Sequence, residues 1–282
     1  MMQNFELNNG VTIPMLGLGT FQMSPDQAQK AVVSALESGY RLLDTANAYL
    51  NEKAVGRGIR ESSVTRQEIF LSSKLWPTVY QDKTAVDKTL QRLGTDYLDL
   101  LFLHQPAGDF MAGYRQLEQA YRDGKIKAIG ISNFHGKKLT QLLEQAKIKP
   151  QVIQVEAHPY YTQSEIREVL TPYGIKLMAW YPLGHGDHSL LNEPIFTKLA
   201  QKYGKSNVQI ILRWHVQMGF IVIPGSTDPK HIKDNADIFD FELTPEEMAQ
   251  IAKLDQKKRY YIPNDAREEQ YAQMQMDFEA QK

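Results

Sequence analysis

The feature that most constrains how this chain can fold is a repeated alternation of short apolar runs with amphipathic helical stretches. The opening run MLGLGT leads into SPDQAQKAVVSALESG, which carries its own punctuation. Ser24 stands as N-cap, Pro25 at the first helical position and Gly39 just past the end, with Ala28, Val32 and Ala35 at helical spacing between them. The strand-like RLLDTA follows. EIFLSSKL then precedes a helix over KTAVDKTLQRLG closed by Gly94, and YLDLLFLH precedes GYRQLEQAYRDG closed by Gly124. IKAIGISNF precedes GKKLTQLLEQAK, and QVIQVEAH precedes SEIREVLTPYG. IKLMAWYPL precedes EPIFTKLAQKYG, with an extra helix around NVQIILRWHVQM, and GFIVIPGS precedes DPKHIKDNADIF.

Strict alternation forces parallel strands, because each return to the same edge of a sheet needs a crossover helix. Eight such units predict an α/β fold, a (β/α)8 TIM barrel, whose usual size is about 250 residues. The main rival is a doubly wound open sheet. It calls for G-x-G-x-x-G after the first strand, whereas GLGTFQM runs on without the third glycine. Residues 5–7 and 12–14 flank NNG and predict an N-terminal β-hairpin capping the bottom of the barrel, and the residues after the eighth unit add extra C-terminal helices and loops. No linker interrupts the chain, so residues 1–282 read as a single barrel domain.

Composition removes several classes of function. The formal charge of −1 offers no basic field for nucleic acid or an anionic membrane, and the absence of cysteine excludes disulfides and thiol chemistry. No apolar run approaches the ~20 residues that span a bilayer, and MMQNFELNNG lacks the regions of a signal peptide. The expectation is a soluble, cytoplasmic protein with no nucleic-acid or membrane partner.

In a barrel of this kind the chemistry sits where strands end, on the carboxyl-terminal face, and the polar residues of this sequence gather there. Asp44 ends the second barrel strand, with Tyr49 in the loop after it; Lys74 ends the third and His104 the fourth. Ser132 and Asn133 end the fifth, Gln154 lies late in the sixth, Trp180 and Tyr181 end the seventh, and PGS ends the eighth. An aspartate at a strand end is commonly a helix cap and a lone loop tyrosine is commonly packing. A lysine closing FLSSK is different, because burial of its ammonium is costly unless an anion pairs with it. Asp44, on the adjacent strand, supplies that anion. A nearby ammonium would favour the phenolate of Tyr49 and lower its pKa from ~10, making Tyr49 a proton donor to a developing alkoxide. His104 would bond the same oxygen. Such an acid needs a hydride source opposite it. Trp180 offers a flat face for a nicotinamide, and Ser132, Asn133 and Gln154 offer partners for its carboxamide.

With these residues in hand, the chain resembles the aldo-keto reductase family from end to end, and especially its bacterial branch containing 2,5-diketo-gluconic acid reductases. The matching stretches, in family order, are GYRLLDTANAYLNEKAVGRGI, YLDLLFLHQP, GISNF, QVEAHPY, AWYPLGHG and IPGSTDPKHIKDN. The resemblance implies reversible NAD(P)H-dependent reduction of small aldehydes and ketones, with Asp44, Tyr49, Lys74 and His104 as the catalytic tetrad. It implies cofactor contacts from Gly19, Thr20, Asp44, Ser132, Asn133, Gln154, Trp180 and Tyr181. Leu183, Gly184, Pro224, Ser226, His231, Asp234 and Asn235 would continue them toward the adenosine end. A substrate pocket would be bounded by Phe21, Tyr49, Trp76, His104 and Gln105, and a monomer is implied.

Two departures refine this expectation. Many members carry a lysine and an arginine after the eighth strand that clamp the 2′-phosphate of NADPH; here those positions hold Gly225 and His231, with Asp228 where a small hydroxyl residue is common. NADPH stays the expected cofactor, with unusual tolerance of NADH, and Ser226, Lys230 and a protonated His231 stand in partly for the clamp. Gln105 occupies a position where an aromatic often follows the histidine, which makes that side of the pocket more polar.

Other features are read as structural. HGDHS, with His185, Asp187 and His188, lacks the helical spacing of a metal site and reads as a loop closing over the cofactor pyrophosphate, so no metal is expected. His215 in RWHVQ reads as packing, and DAREEQYAQMQMDFEAQK as a docked terminal segment. The alternative in a different class is a catalytically quiet cofactor-binding scaffold or redox sensor on the same barrel. A barrel hydrolase would need a metal cluster or paired carboxylates at strand ends.

Overall fold

The computed structural model describes residues 3–282 and shows the alternation as a closed barrel. A hairpin of β1 (Asn4–Glu6) and β2 (Thr12–Pro14) is followed by eight parallel strands: β3 (Leu18–Gly19), β4 (Leu42–Asp44), β5 (Phe70–Leu75), β6 (Leu100–Leu103), β7 (Ile129–Ser132), β8 (Val152–Glu156), β9 (Lys176–Trp180) and β10 (Ile221–Val222). They are hydrogen-bonded in chain order. A parallel bridge between Leu16 and Val222 closes the ring, with the Gly17 N–H donating to the Val222 carbonyl at 2.9 Å.

The helices are α1 (Pro25–Glu37), α2 (Glu52–Glu61), α3 (Ala85–Leu93), α4 (Phe110–Arg122), α5 (Gly136–Gln145), α6 (Ser164–Leu170), α7 (His188–Leu191), α8 (Pro194–Tyr203), α9 (Asn207–Gln217), α10 (Pro229–Ala236), α11 (Pro245–Ala252) and α12 (Asp265–Gln273). Ser24 caps α1 through a reciprocal capping box with Gln27, as its position in the sequence implies. α2 was not visible as a helix in the sequence, where NEKAVGRGIR carries two glycines that weaken helix propensity. Tertiary contact explains them. A Cβ on Gly56 would stand 2.2 Å from the Leu93 carbonyl oxygen, and one on Gly58 would stand 2.8 Å from that of Gln29. The glycines let α2 approach α1 and α3 closely.

The pleat sorts side chains into two cores. Leu43, Leu71, Leu101, Leu103, Ile129, Ile153 and Leu177 point outward beneath the helices. Leu42, Phe70, Leu100, Phe102, Ala128, Val152, Met178 and Ile221 fill the barrel interior together with Leu7 and Ile13 of the hairpin. The hairpin therefore plugs the amino-terminal mouth. Its turn is stapled there by Asn8, which donates to the carbonyls of Pro150 and Tyr173, and by Asn9, which donates to that of Lys127. Among the described residues no helix is long and apolar enough to cross a membrane.

Candidate active site

The same two-residue period that fills the barrel builds its upper mouth. Counting on from the inward Leu42, Phe70, Phe102, Ala128, Val152 and Met178 in steps of two reaches Asp44, Lys74, His104, Ser132, Gln154 and Trp180. These side chains form the next layer above the apolar filling, so six positions on different strands share one space without any being adjacent in sequence.

That space is a cavity of about 760 Å³. Asp44, Tyr49, His104, Ser132, Asn133, Gln154 and Trp180 all line it, as do Gly19 of the expected cofactor contacts and Phe21, Trp76 and Gln105 of the expected substrate pocket. Tyr181, Leu183, Pro224 and Ser226 extend the wall toward the eighth strand. Lys74 lies behind the wall, wholly buried. Its ammonium donates to Asp44 Oδ2 at 2.5 Å and to the Thr45 carbonyl at 2.8 Å, and stands 4.9 Å from the centroid of the Tyr49 ring. Asp44 Oδ1 accepts from the Ser72 hydroxyl at 2.7 Å and from Gln154 Nε2 at 3.2 Å. The ring centroids of Tyr49 and His104 are 5.6 Å apart, with an edge contact, and Phe21 lies 5.0 Å from Tyr49.

Electrostatics correct one expectation. Burial, with the Asp44 carboxylate adding to it, pushes the Tyr49 phenol well above its ordinary range, whereas proximity to Lys74 was expected to lower it. Tyr49 thus stays protonated at neutral pH. Burial also holds the Lys74 ammonium below its ordinary pKa, against the opposing pull of Asp44, and holds His104 well below the usual imidazole range with help from the Lys74 charge. His104 is therefore neutral. Its Nδ1 is buried without a partner.

Not every residue expected to meet the cofactor lines the cavity. Thr20 does not line the cavity; its hydroxyl donates to the Asp44 carbonyl at 3.2 Å. Gly184 is likewise absent from the wall, and a Cβ there would meet Leu190 at 2.6 Å, so the glycine permits close packing of the loop. Asn133 holds a left-handed backbone (φ 65°) and uses its amide to accept from Trp180 Nε1 at 3.0 Å and to donate to the His104 carbonyl at 3.3 Å. These bonds fix the indole, while Gln154 keeps only its oxygen free of Asp44. His231, Asp234 and Asn235 sit on α10, away from the cavity wall. There Asp228 is the N-cap and lies 3.9 Å from His231, and Lys230 is paired with Asp234 at 2.8 Å. The cations expected to stand in for the phosphate clamp thus already face carboxylates.

The tail, which from KRYYIPNDA onward was expected to shape specificity, forms the roof, though its individual residues were not singled out. Tyr260, Tyr261, Tyr271, Met274 and Met276, from the tail, line the cavity. Trp76 anchors that tail by donating its indole N–H to the Tyr271 carbonyl at 3.1 Å. Glu156 accepts from the backbone N–H groups of Tyr260 and Tyr261 at 2.7 and 3.0 Å, and Asp187 of the HGDHS loop accepts from Lys258 and from the Tyr260 hydroxyl, both at 2.6 Å. The spaced tyrosines and methionines of the tail were the available signal; their destination was not. Glu52 was also missed. It is fully buried, raised above the usual carboxylate range by that burial, and bonded to Arg92 at 2.6 Å.

Comparison with known proteins completes the picture of this site. The model described as "Aldo/keto reductase family" matches residues 15–256. The chain is 46% identical over 259 residues to the glyoxal reductase of Bacillus subtilis, covering 90% of this chain and 93% of that protein. It is 41% identical over 266 residues to the morphine 6-dehydrogenase of Pseudomonas putida, with 88% and 90% covered. Among solved structures, an aldo-keto reductase of Bombyx mori in complex with NADP superposes with a TM-score of 0.88 at 33% identity, covering 96% of this chain and 99% of that one. The narrower resemblance to 2,5-diketo-gluconic acid reductases rests on the sequence motifs alone.

Proposed function

This chain belongs to the aldo/keto reductase family and is a reductase of carbonyl compounds; on that premise we propose that Tyr49 is its proton donor, with NADPH as preferred cofactor and NADH tolerated. The observation that carries the reading is the convergence of Asp44, Lys74 and His104 on the ring of Tyr49 at one cavity. A reduced nicotinamide supplies hydride when bound. Trp180, pinned through its indole N–H, would lie against that ring, and Ser132, Asn133 and Gln154 would meet its carboxamide.

The residues of the chain then divide the work. His104, neutral, donates from Nε2 to the carbonyl oxygen and polarises it. As negative charge builds on that oxygen, Tyr49 releases its phenolic proton. An alkoxide is a far stronger base than a phenolate, so a phenol raised by burial still delivers its proton at that moment and not before. The Lys74 ammonium stabilises the phenolate left behind, and Asp44 holds Lys74 in place. The docked tail and Trp76 exclude water. The B. subtilis relative named for glyoxal supports small carbonyls as the substrate class. Residues 1–282 are taken as one domain, acting as a monomer in the cytoplasm.

Steady-state oxidation of NADPH and NADH with small aldehydes tests this, with Tyr49→Phe beside the wild type. Loss of turnover by at least ~100-fold with unchanged cofactor binding is expected. Turnover that survives in Tyr49→Phe overturns the assignment of the acid, and cofactor binding without turnover of any carbonyl favours a sensor. Preference for NADPH should stay below ~1000-fold, about 4 kcal/mol, because Gly225 has no charge and Lys230 is engaged by Asp234. A larger ratio refutes the cofactor reading.

A further inference from the structure

The end of the tail crosses the cavity as a span held at both ends. Upstream, the Tyr271 carbonyl accepts from Trp76 Nε1 at 3.1 Å. Downstream, Phe278 is buried, Glu279 Oε1 accepts from Arg92 at 2.6 Å, and Gln281 Oε1 accepts the Lys53 N–H at 3.2 Å. Residues 274–277 between these anchors belong to no helix or strand, and Met274 and Met276 of this span line the cavity beside Phe21, Trp76 and Tyr271.

Met274 differs from every other methionine among the described residues in being exposed, at 41%. Met276 is half-buried, and Met23, the third methionine of the wall, is 6% exposed. The chain has no cysteine, so no thiol of its own competes for an oxidant. Oxidation of a thioether follows its access to solvent, and it puts a polar, chiral sulfoxide where a flexible apolar side chain stood. A sulfur at the exposed rim of the roof is therefore the first that an oxidant meets, and it is also one that a substrate chain touches.

We propose that Met274 is a modification site, at which hydrogen peroxide or an organic hydroperoxide forms the sulfoxide and turns the enzyme away from aldehydes with longer apolar chains. The sulfur lone pair attacks the terminal peroxide oxygen, so the S–O bond forms as the O–O bond breaks. The sulfur loses two electrons, the peroxide gains them, and the proton of the transferred oxygen leaves with the departing water or alcohol. An alkyl chain lying against the roof then meets a polar group, whereas an aldehyde too short to reach it is unaffected. The proposal rests on the reading of Tyr49 and His104 as the carbonyl subsite.

The test assays the wild type, Met274→Leu and Met274→Gln with hexanal and propanal before and after hydrogen peroxide, with peptide mass mapping of each methionine and a check of Tm. Met274 should gain one oxygen at least ~5-fold faster than any other methionine of residues 3–282. In the wild type kcat/KM for hexanal should then fall at least ~5-fold through KM, with propanal held within ~2-fold. Met274→Gln, polar and of similar length, shows the lowered hexanal-to-propanal ratio without peroxide, and Met274→Leu keeps its ratio through the treatment. Methionine sulfoxide reductases A and B with a dithiol return the oxidised wild type to its starting ratio, which general damage would not allow. Another methionine of that range oxidised ahead of Met274, a wild-type ratio unmoved once Met274 carries the oxygen, or the same fall in Met274→Leu overturns the proposal, while turnover of propanal leaves the reductase reading intact. Turnover of neither aldehyde before treatment overturns that reading, and the proposal with it.

Discussion

Replacing Lys74 by Met removes one half of a buried ion pair without opening a cavity, because the two side chains are similar in length. Lys74 is fully buried and the Asp44 side chain is 2% exposed, with 2.5 Å between Nζ and Oδ2. Breaking such a pair from one side costs ~3–5 kcal/mol, since the remaining charge is left without compensation. Asp44 would keep its bonds from Ser72 and Gln154, which places the expected loss near the lower end, at about 3 kcal/mol. The pair Lys74→Met with Asp44→Asn removes both charges together. Its destabilisation should be only ~1 kcal/mol, so the double-mutant cycle shows a coupling of at least ~2 kcal/mol. Urea unfolding followed by tryptophan fluorescence measures this, with slopes compared so that midpoint shifts report stability. The double variant should regain stability without regaining turnover, which separates the structural role of the pair from its catalytic one. A loss below ~1 kcal/mol in Lys74→Met, or strict additivity in the double variant, would refute the account of the site as an electrostatic unit.

Acid sensitivity should have an identifiable source in His215, whose ring is wholly buried against the carbonyls of Ile211 and Ala157 and whose pKa burial pushes down to about 4. Below pH ~6.5 the unfolded chain takes up a proton that the native ring refuses, so stability falls as pH falls, by ~1.4 kcal/mol per unit until the folded pKa is reached. Stability measured from pH 6.5 down to 4 should therefore fall less steeply in His215→Gln, by a total of about 3 kcal/mol, and parallel slopes would remove His215 as the cause. Gly56→Ala sets two effects against each other. Helix propensity favours alanine by ~1 kcal/mol, but the added Cβ would stand 2.2 Å from the Leu93 carbonyl oxygen, and such overpacking costs ~1–3 kcal/mol. A lower urea midpoint is expected, and a higher one would mean that α2 is not held as closely as the structure has it.

Much of this protein was legible before any coordinates. The β-α alternation defined the barrel because a parallel strand cannot be reached without a crossover, and the strand ends that carry Asp44, Lys74, His104, Ser132, Gln154 and Trp180 were recognisable as one mouth. A helix interrupted by Gly56 and Gly58 was not recognisable, because its glycines answer to neighbouring backbone and not to local propensity. The tail shows the same divide. Its tyrosines and methionines could be read as a docking surface, but that Tyr271 meets Trp76 and that Glu156 holds the backbone of Tyr260 and Tyr261 depends on partners far away in the chain.

The sequence alone determined which side chains share the inner face of the barrel, since the two-residue pleat is a local rule that needs no partner. Only the tertiary structure decided how those side chains behave. Tyr49 was expected to be acidified by the charge beside it, and the assembled cavity raises its pKa instead. A list of neighbouring charges follows from strand order, but desolvation follows from the closing of the whole mouth around them. For Tyr49, Lys74 and His104 it is desolvation that sets the direction of the shift.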